Sequence, residues 1–257
     1  MSVGASVEVR SISHTFPATK GNEPVAVLDD VSLSIAPGEF VALIGPSGCG
    51  KSTLLNMVGG LIRPDEGEIV YAGSAVGAVN TDVGYMTQRD TLLPWLTVEA
   101  NVALPLRFRR EGKADIKGLV TDALDRMGLG GFARSYPGQL SGGMRSRVMI
   151  ARTLVYRPRT ILMDEPLGAL DALLRLKMQD ELLEMWRRES ATVLYVTHDI
   201  EEALALADRV FVFSARPARV LAELAVPGER PRDTRREKDL VAMYDVVWKT
   251  LREELDP

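Results

Sequence analysis

Nine consecutive residues, Gly45-Pro-Ser-Gly-Cys-Gly-Lys-Ser-Thr53, have the types and spacing that a chain of phosphates requires. Gly45, Gly50, Lys51 and Ser52 stand at the fixed positions of a phosphate-binding loop. Glycine lets backbone N–H groups turn inward as an anion nest, and the predicted helix from Ser52 to Val58 aims its positive end at the same point. Lys51 sets a cation on the β and γ oxygens, and Ser52 offers a hydroxyl to Mg²⁺. Pro46, Ser47, Gly48, Cys49 and Thr53 complete the loop around the phosphates, with Cys49 a small filler rather than a redox switch. A second constellation, Thr160-Ile-Leu-Met-Asp-Glu-Pro166, is an apolar strand ending in two acids. Asp164 can hold Mg²⁺, directly or through water, while Glu165 points differently and can polarise an attacking water as general base. The chemistry expected of the two motifs together is transfer of a nucleotide's terminal phosphate to water.

Those residues need a buried sheet whose strands end on one side. Glu39-Phe-Val-Ala-Leu-Ile44 is short, apolar and followed by glycines, which suits a strand opening onto a phosphate loop. Val7 to Ile12, Val27 to Ile35, Glu68 to Tyr71 and Val83 to Met86 also read as strands. From about Leu92 to Tyr156 the period turns helical, as in Ile116, Leu119, Val120, Ala123, Leu124 and Met127, stopped by Gly128. Thereafter strands at 160–163, 192–196, 209–213 and 220–224 alternate with helices at 171–189 and 200–207. Such alternation predicts a mostly parallel sheet covered by helices. The fold class expected is a P-loop α/β core with an antiparallel β portion on its N-terminal side and an inserted helical subdomain at about 92–156.

The chain has 257 residues, 46% of them hydrophobic, enough for one large or two modest domains. Acidic residues outnumber basic ones by 35 to 31, which argues against nucleic acid as a partner. A single cysteine excludes an internal disulfide and fits a reducing cytosol. No stretch approaches the ~18 to 20 apolar residues that cross a bilayer, and Met1 to Arg10 lacks a basic stretch followed by an apolar run. The expectation is a cytoplasmic protein that serves a membrane only by docking on something that spans it. Residues 1–227 read as the catalytic domain and 228–257 as a linker and helix, leaving no room for an added regulatory domain. Within the latter, Glu229 to Asp239 is mixed in sign and reads as a solvated linker, and Leu240 to Leu255 as a helix packed back on the body.

Leu140-Ser-Gly-Gly-Met144 alone reads only as the N-cap of a helix. Together with Gln88, Ala169-Leu-Asp171 and His198 it resembles the signature of the nucleotide-binding subunit of ABC transporters, a likeness that runs from Val7 to about Leu224 with six motifs in order. The resemblance implies an ATPase using ATP and Mg²⁺. Phe16 would stack on adenine, and Gln88 would sense the γ-phosphate and metal and report to a membrane partner. Ser141, Gly142 and Gly143 would contact the γ-phosphate of ATP held by the other subunit, with Asp171 at the junction. His198 would clamp the γ-phosphate beside Glu165. Glu165, His198, Gln88 and Lys51 thus form the implied catalytic set, and Ser52, Gln88 and Asp164 the implied metal set.

Leu92-Leu-Pro-Trp-Leu-Thr97, Met144 and Asp164-Glu-Pro-Leu-Gly-Ala-Leu-Asp171 are similar to the importers of the nitrate, sulfonate and taurine group. Ser146 stands where a glutamine is usual and Leu167 where an aromatic often sits; neither removes a phosphate or metal contact. Trp95 is either a core residue or an anchor facing the coupling helix of a membrane subunit. The implied assembly is a homodimer enclosing two ATP molecules, on the cytoplasmic face of the inner membrane. It would work with integral membrane permease subunits and, indirectly, a periplasmic or extracellular solute-binding protein. The alternative is a soluble ABC-type ATPase with a non-transport mechanical role, although those carry long coiled-coil inserts or tandem cassettes. In a P-loop kinase the signature and the histidine would have no task.

Overall fold

The computed structural model describes residues 4–18, 23–109, 113–230 and 232–254. Its strands are β1 (Val7–Phe16), β2 (Val25–Ile35), β3 (Phe40–Ile44), β4 (Glu66–Tyr71), β5 (Ser74–Ala75), β6 (Val83–Met86), β7 (Thr160–Asp164), β8 (Thr192–Val196), β9 (Arg209–Phe213) and β10 (Val220–Ala225). One sheet has the order β2-β1-β4-β5 and is antiparallel throughout; the other has the order β10-β9-β3-β8-β7-β6. In the second sheet β9, β3, β8, β7 and β6 run parallel and β10 joins antiparallel at the edge. Every residue of β3, β7 and β8 is buried, as expected of parallel strands covered on both faces.

The pleat divides β3 between two cores. Phe40, Ala42 and Ile44 face the helical layer, whereas Val41 and Leu43 face α1 (Lys51–Val58) and the antiparallel sheet. Leu54, Leu55, Met57 and Val58 of α1 are buried between the two sheets, so the helix after the phosphate loop is clamped on both sides. Helices α2 (Val98–Phe108), α3 (Lys113–Arg126) and α4 (Gly142–Leu154) form the inserted section. α3 stops where expected, because Gly128 takes φ +65° and lets the Leu129 N–H reach back to the Leu124 carbonyl at 2.8 Å. The helices α5 (Ala172–Glu189), α6 (Ile200–Leu206) and α7 (Lys238–Glu253) cover the parallel sheet. In α7, Leu240 and Val247 are fully buried; Leu255 lies outside the described residues.

The stretch expected to be a solvated linker is tied down by two arginines. Arg230 stacks 4.4 Å above the Trp186 ring and pairs with Asp208 at 2.6 Å. Arg232 donates to the carbonyls of Leu204, Ala207, Val226 and Gly228. Two of those carbonyls are orphans at the C-terminus of α6, which is the physical reason a cation is drawn there. Charge alternation in the sequence carries no sign of it.

Glu202 of α6 is buried beneath the turn that follows β8, where its carboxylate accepts a 2.5 Å hydrogen bond from the Thr197 hydroxyl. Burial raises its pKa above the ordinary 4.5, more than that hydrogen bond lowers it. The folded chain therefore holds this proton more tightly than the unfolded chain, and stability is lost as pH rises from the ordinary glutamate range through the raised value. Glu202→Gln, which cannot ionise, is expected to gain on the parent as pH rises. Urea unfolding of both proteins at pH 5 and pH 8 measures this, and a stability difference that is the same at both pH values would count against it.

Candidate nucleotide site

β3, β7 and β8 end on the same side of the sheet, with Ile44, Asp164 and Val196 as their last residues. There a cavity of about 470 Å³ opens, lined by Phe16, Val25, Val27, Ser47, Gly48, Gly50, Lys51, Ser52, Thr53, Gln88, Asp164, Glu165, Val196 and Arg216. One wall is apolar and the other carries charge. Phe16, 39% exposed, forms part of the apolar wall, with its ring edge-on to His14 at 4.8 Å.

The floor is the phosphate loop, whose shape depends on glycine at two points. Gly50 has φ +133°, and a Cβ there would lie within 3 Å of Val27 and Leu28; Gly48 has φ +73°. Gly50 is also the N-cap of α1, and no side chain caps that helix, so its first N–H groups face the cavity. Lys51 is 6% exposed, and its ammonium donates to the Gly45 and Pro46 carbonyls at 2.8 Å each. Cys49 is buried with its sulfur 3.6 Å from the same ammonium, a packing position.

Asp164 is 4% exposed, and burial raises its pKa above the usual aspartate value, a shift opposed by a hydrogen bond with Ser52 and by the charge of Lys51. Among the described residues no cluster of three or more His, Cys, Asp or Glu could hold a metal by itself. The oxygens of Ser52 and Asp164, in a cavity that Gln88 also lines, nevertheless suit Mg²⁺, which takes few protein ligands and completes its shell with phosphate and water. Glu165 follows with φ +50°, an unfavourable conformation for a residue with a Cβ, held by a 2.9 Å bond from its N–H to the Val196 carbonyl. The turn separates its side chain from the strand's alternation. One carboxylate oxygen accepts from Gln88 Nε2 at 3.1 Å, and the other lies 3.3 Å from His198 Nδ1. Two residues from distant parts of the sequence, Gln88 and His198, thus converge on the Glu165 carboxylate.

Ser141, Gly142 and Gly143 are absent from that lining. Ser141 is exposed and caps α4, its hydroxyl accepting from the Met144 N–H at 3.3 Å. Gly143 lies against Leu170 and Ala169, and Asp171 caps α5 through Leu174. Ser146 and Leu167, the two departures from the expected pattern, are both buried. Trp95 is 69% exposed and is not a core residue. Its loop is held from behind by Asn101, fully buried, whose amide donates to the Leu93, Leu96 and Thr97 carbonyls while its oxygen accepts from the Leu93 N–H.

Sequence reasoning missed Asn101 and Arg216. A lone polar residue in the apolar run 100–106 was a usable sign of the first; nothing distinguishes Arg216 from the chain's other arginines.

A model of the ABC transporter family matches residues 28–168. The chain belongs to the ABC transporter ATP-binding family. Curated relatives include a bicarbonate transport ATP-binding protein of a Synechocystis strain, 41% identical with 89% of this chain and 82% of that protein covered. A nitrate import ATP-binding protein of Synechococcus elongatus is 42% identical, with 86% and 81% covered. Among solved structures, a dimeric post-hydrolysis ATP-binding cassette bound to ADP and inorganic phosphate matches with a TM-score of 0.78 and 34% identity, covering 87% of this chain and all of that one. This ABC protein is accordingly an ATPase, and the alternation of strands and helices follows the cassette fold.

In this ABC ATPase, Glu165→Gln keeps the side chain's shape and removes its charge. ATP affinity is expected to stay within a few-fold of the parent, while hydrolysis falls at least about a hundredfold. Turnover at even half the parent rate would remove Glu165 as the base.

Proposed function

We propose that this ATPase powers import of a small anionic solute through separate membrane subunits, acting as one half of a dimer that encloses two ATP molecules. The exposure of Ser141 outside the cavity carries this reading: a cavity that gathers Lys51, Ser52, Gln88, Asp164 and Glu165 but leaves the signature outside is one that a second subunit's signature can close. Two copies related by a two-fold axis would each supply Ser141, Gly142 and Gly143 to the other's nucleotide. The dimeric cassette among the structural relatives supports that arrangement. The nitrate and bicarbonate names of the sequence relatives support a small anion as cargo.

Within each site Phe16 would stack on adenine, and the phosphate loop with Lys51 would hold the β- and γ-phosphates. Mg²⁺, when bound by Ser52, Asp164 and Gln88, would neutralise charge on the phosphates. Glu165 would accept the proton of the attacking water, oriented by the Gln88 amide and by His198, which would also clamp the γ-phosphate. Loss of that phosphate removes the contacts that hold the two subunits together. Among the described residues no helix is long and apolar enough to cross a membrane, so the solute's path would belong to partner chains. A periplasmic or extracellular binding protein would deliver it.

Mixing Ser141→Arg subunits with Lys51→Ala subunits tests the composite site. A heterodimer then has one site with both defects and one with neither, so ATPase activity should return on mixing. Absence of rescue, with heterodimers verified by differential tags, would count against the shared site.

Trp95 and the Asn101-stapled loop around it would form the face that meets a permease helix. Trp95→Ala should leave thermal stability and ATP turnover of the isolated subunit close to the parent, as for other exposed positions, yet lower solute uptake by the assembled transporter several-fold. Unchanged uptake would end that role.

A further inference from the structure

Arg216 lines the nucleotide cavity, and among the described residues no hydrogen bond or ion pair engages its guanidinium, whereas nearby Arg209 and Arg219 are paired with carboxylates. Its backbone is held firmly. The turn between β9 and β10 is braced by Ser214, whose hydroxyl accepts from the Arg219 N–H at 2.9 Å, and by the Ala215 N–H donating to Glu254 at 2.9 Å. Ala218 joins the turn to β2, donating to the Val27 carbonyl at 2.9 Å and accepting from the Asp29 N–H at 3.1 Å. A terminal guanidinium nitrogen lies 3.1 Å from where a Cβ on Gly48 would sit, so the free cation rests against the phosphate loop.

Strand order fixes which side of the loop that is. The loop follows β3, which lies between β9 on one flank and β8 and β7 on the other. Asp164 and Glu165, with Gln88, occupy the β7 flank. Arg216 occupies the β9 flank, the same side as Val27 and thus as the apolar wall of Phe16, Val25 and Val27. A nucleotide with its base on that wall and its terminal phosphate toward Gln88 and Glu165 passes Arg216 between the two.

We propose that Arg216 binds the α- and β-phosphates of the nucleotide, the part that ATP and ADP share, from the flank opposite the metal. This inference rests on the ATP-binding reading of the cavity. A guanidinium offers two parallel N–H donors matched to phosphate oxygens. It would supply a second positive charge to a cavity in which Lys51 and Arg216 stand against Asp164 and Glu165.

The test is titration of fluorescent ATP and ADP analogues into the full-length parent, Arg216→Ala, Arg216→Gln and Arg216→Lys, at low and high salt. Loss of one charge-assisted pair predicts about tenfold to a hundredfold weaker binding of both nucleotides in Arg216→Ala. The ratio of ATP to ADP affinity should hold within about threefold, Arg216→Lys should recover part of the loss, and the effect should shrink with salt. Arg216→Gln keeps the test open should the alanine variant fail to fold. Dissociation constants within twofold of the parent in a folded variant would overturn the proposal. Weakening confined to ATP would do so too, by moving the guanidinium to the γ-phosphate or the partner subunit. A folded parent that binds neither nucleotide would instead sink the ATP reading, and this inference with it.

Discussion

A cation and an anion, both almost out of water, have to coexist at the end of a buried sheet. Lys51 and Asp164 are 6% and 4% exposed, and either charge alone would be costly there. The chain meets this locally: two carbonyls of the loop satisfy the Lys51 ammonium, while Ser52 and the Lys51 charge offset part of the burial of Asp164. That arrangement requires β3 and β7 to lie close, to run parallel and to end together. The parallel sheet, the helix clamped between two sheets and the glycines of the loop all serve that requirement.

Much of this fold is legible in the sequence because strands buried on both faces must be apolar. The runs at 83–86, 192–196 and 209–213 are strands at those residues, and α3 stops at its glycine. β5 is two residues long and carries no periodic signal. The ordered Arg230 and Arg232 were hidden for another reason: their partners include main-chain carbonyls and an aromatic face, neither of which leaves a complementary charge in the sequence. Asn101 belongs to the same class, since all its acceptors are backbone. Side chains that serve the main chain are nearly invisible to pattern reading.

The candidate site divides in the same way. The phosphate loop and the Asp164-Glu165 pair can be read from spacing, because the chemistry needs several types in a row. Gln88 and His198 needed a family likeness, as 77 residues separate the first from the carboxylate it touches. Trp95 could be core or surface as far as composition goes, and it is the fold, with Asn101 buried and bonded to the backbone of its loop, that leaves the indole exposed. Arg216 is a case where position is everything and residue type says little.

The backbone link between Ala218 and β2 bears on how such a protein could move. Through it the turn after β9 is hydrogen-bonded to the strand that carries Val25 and Val27 of the apolar wall, and Arg216 of that turn lies against the phosphate loop. The helical section from α2 to α4, by contrast, is an insertion between β6 and β7, entered through the segment that holds Gln88. Any large swing of this subunit therefore has a natural lever arm and a natural anvil. The anvil is the part that lines the nucleotide cavity, and the lever is the part that carries the exposed Ser141.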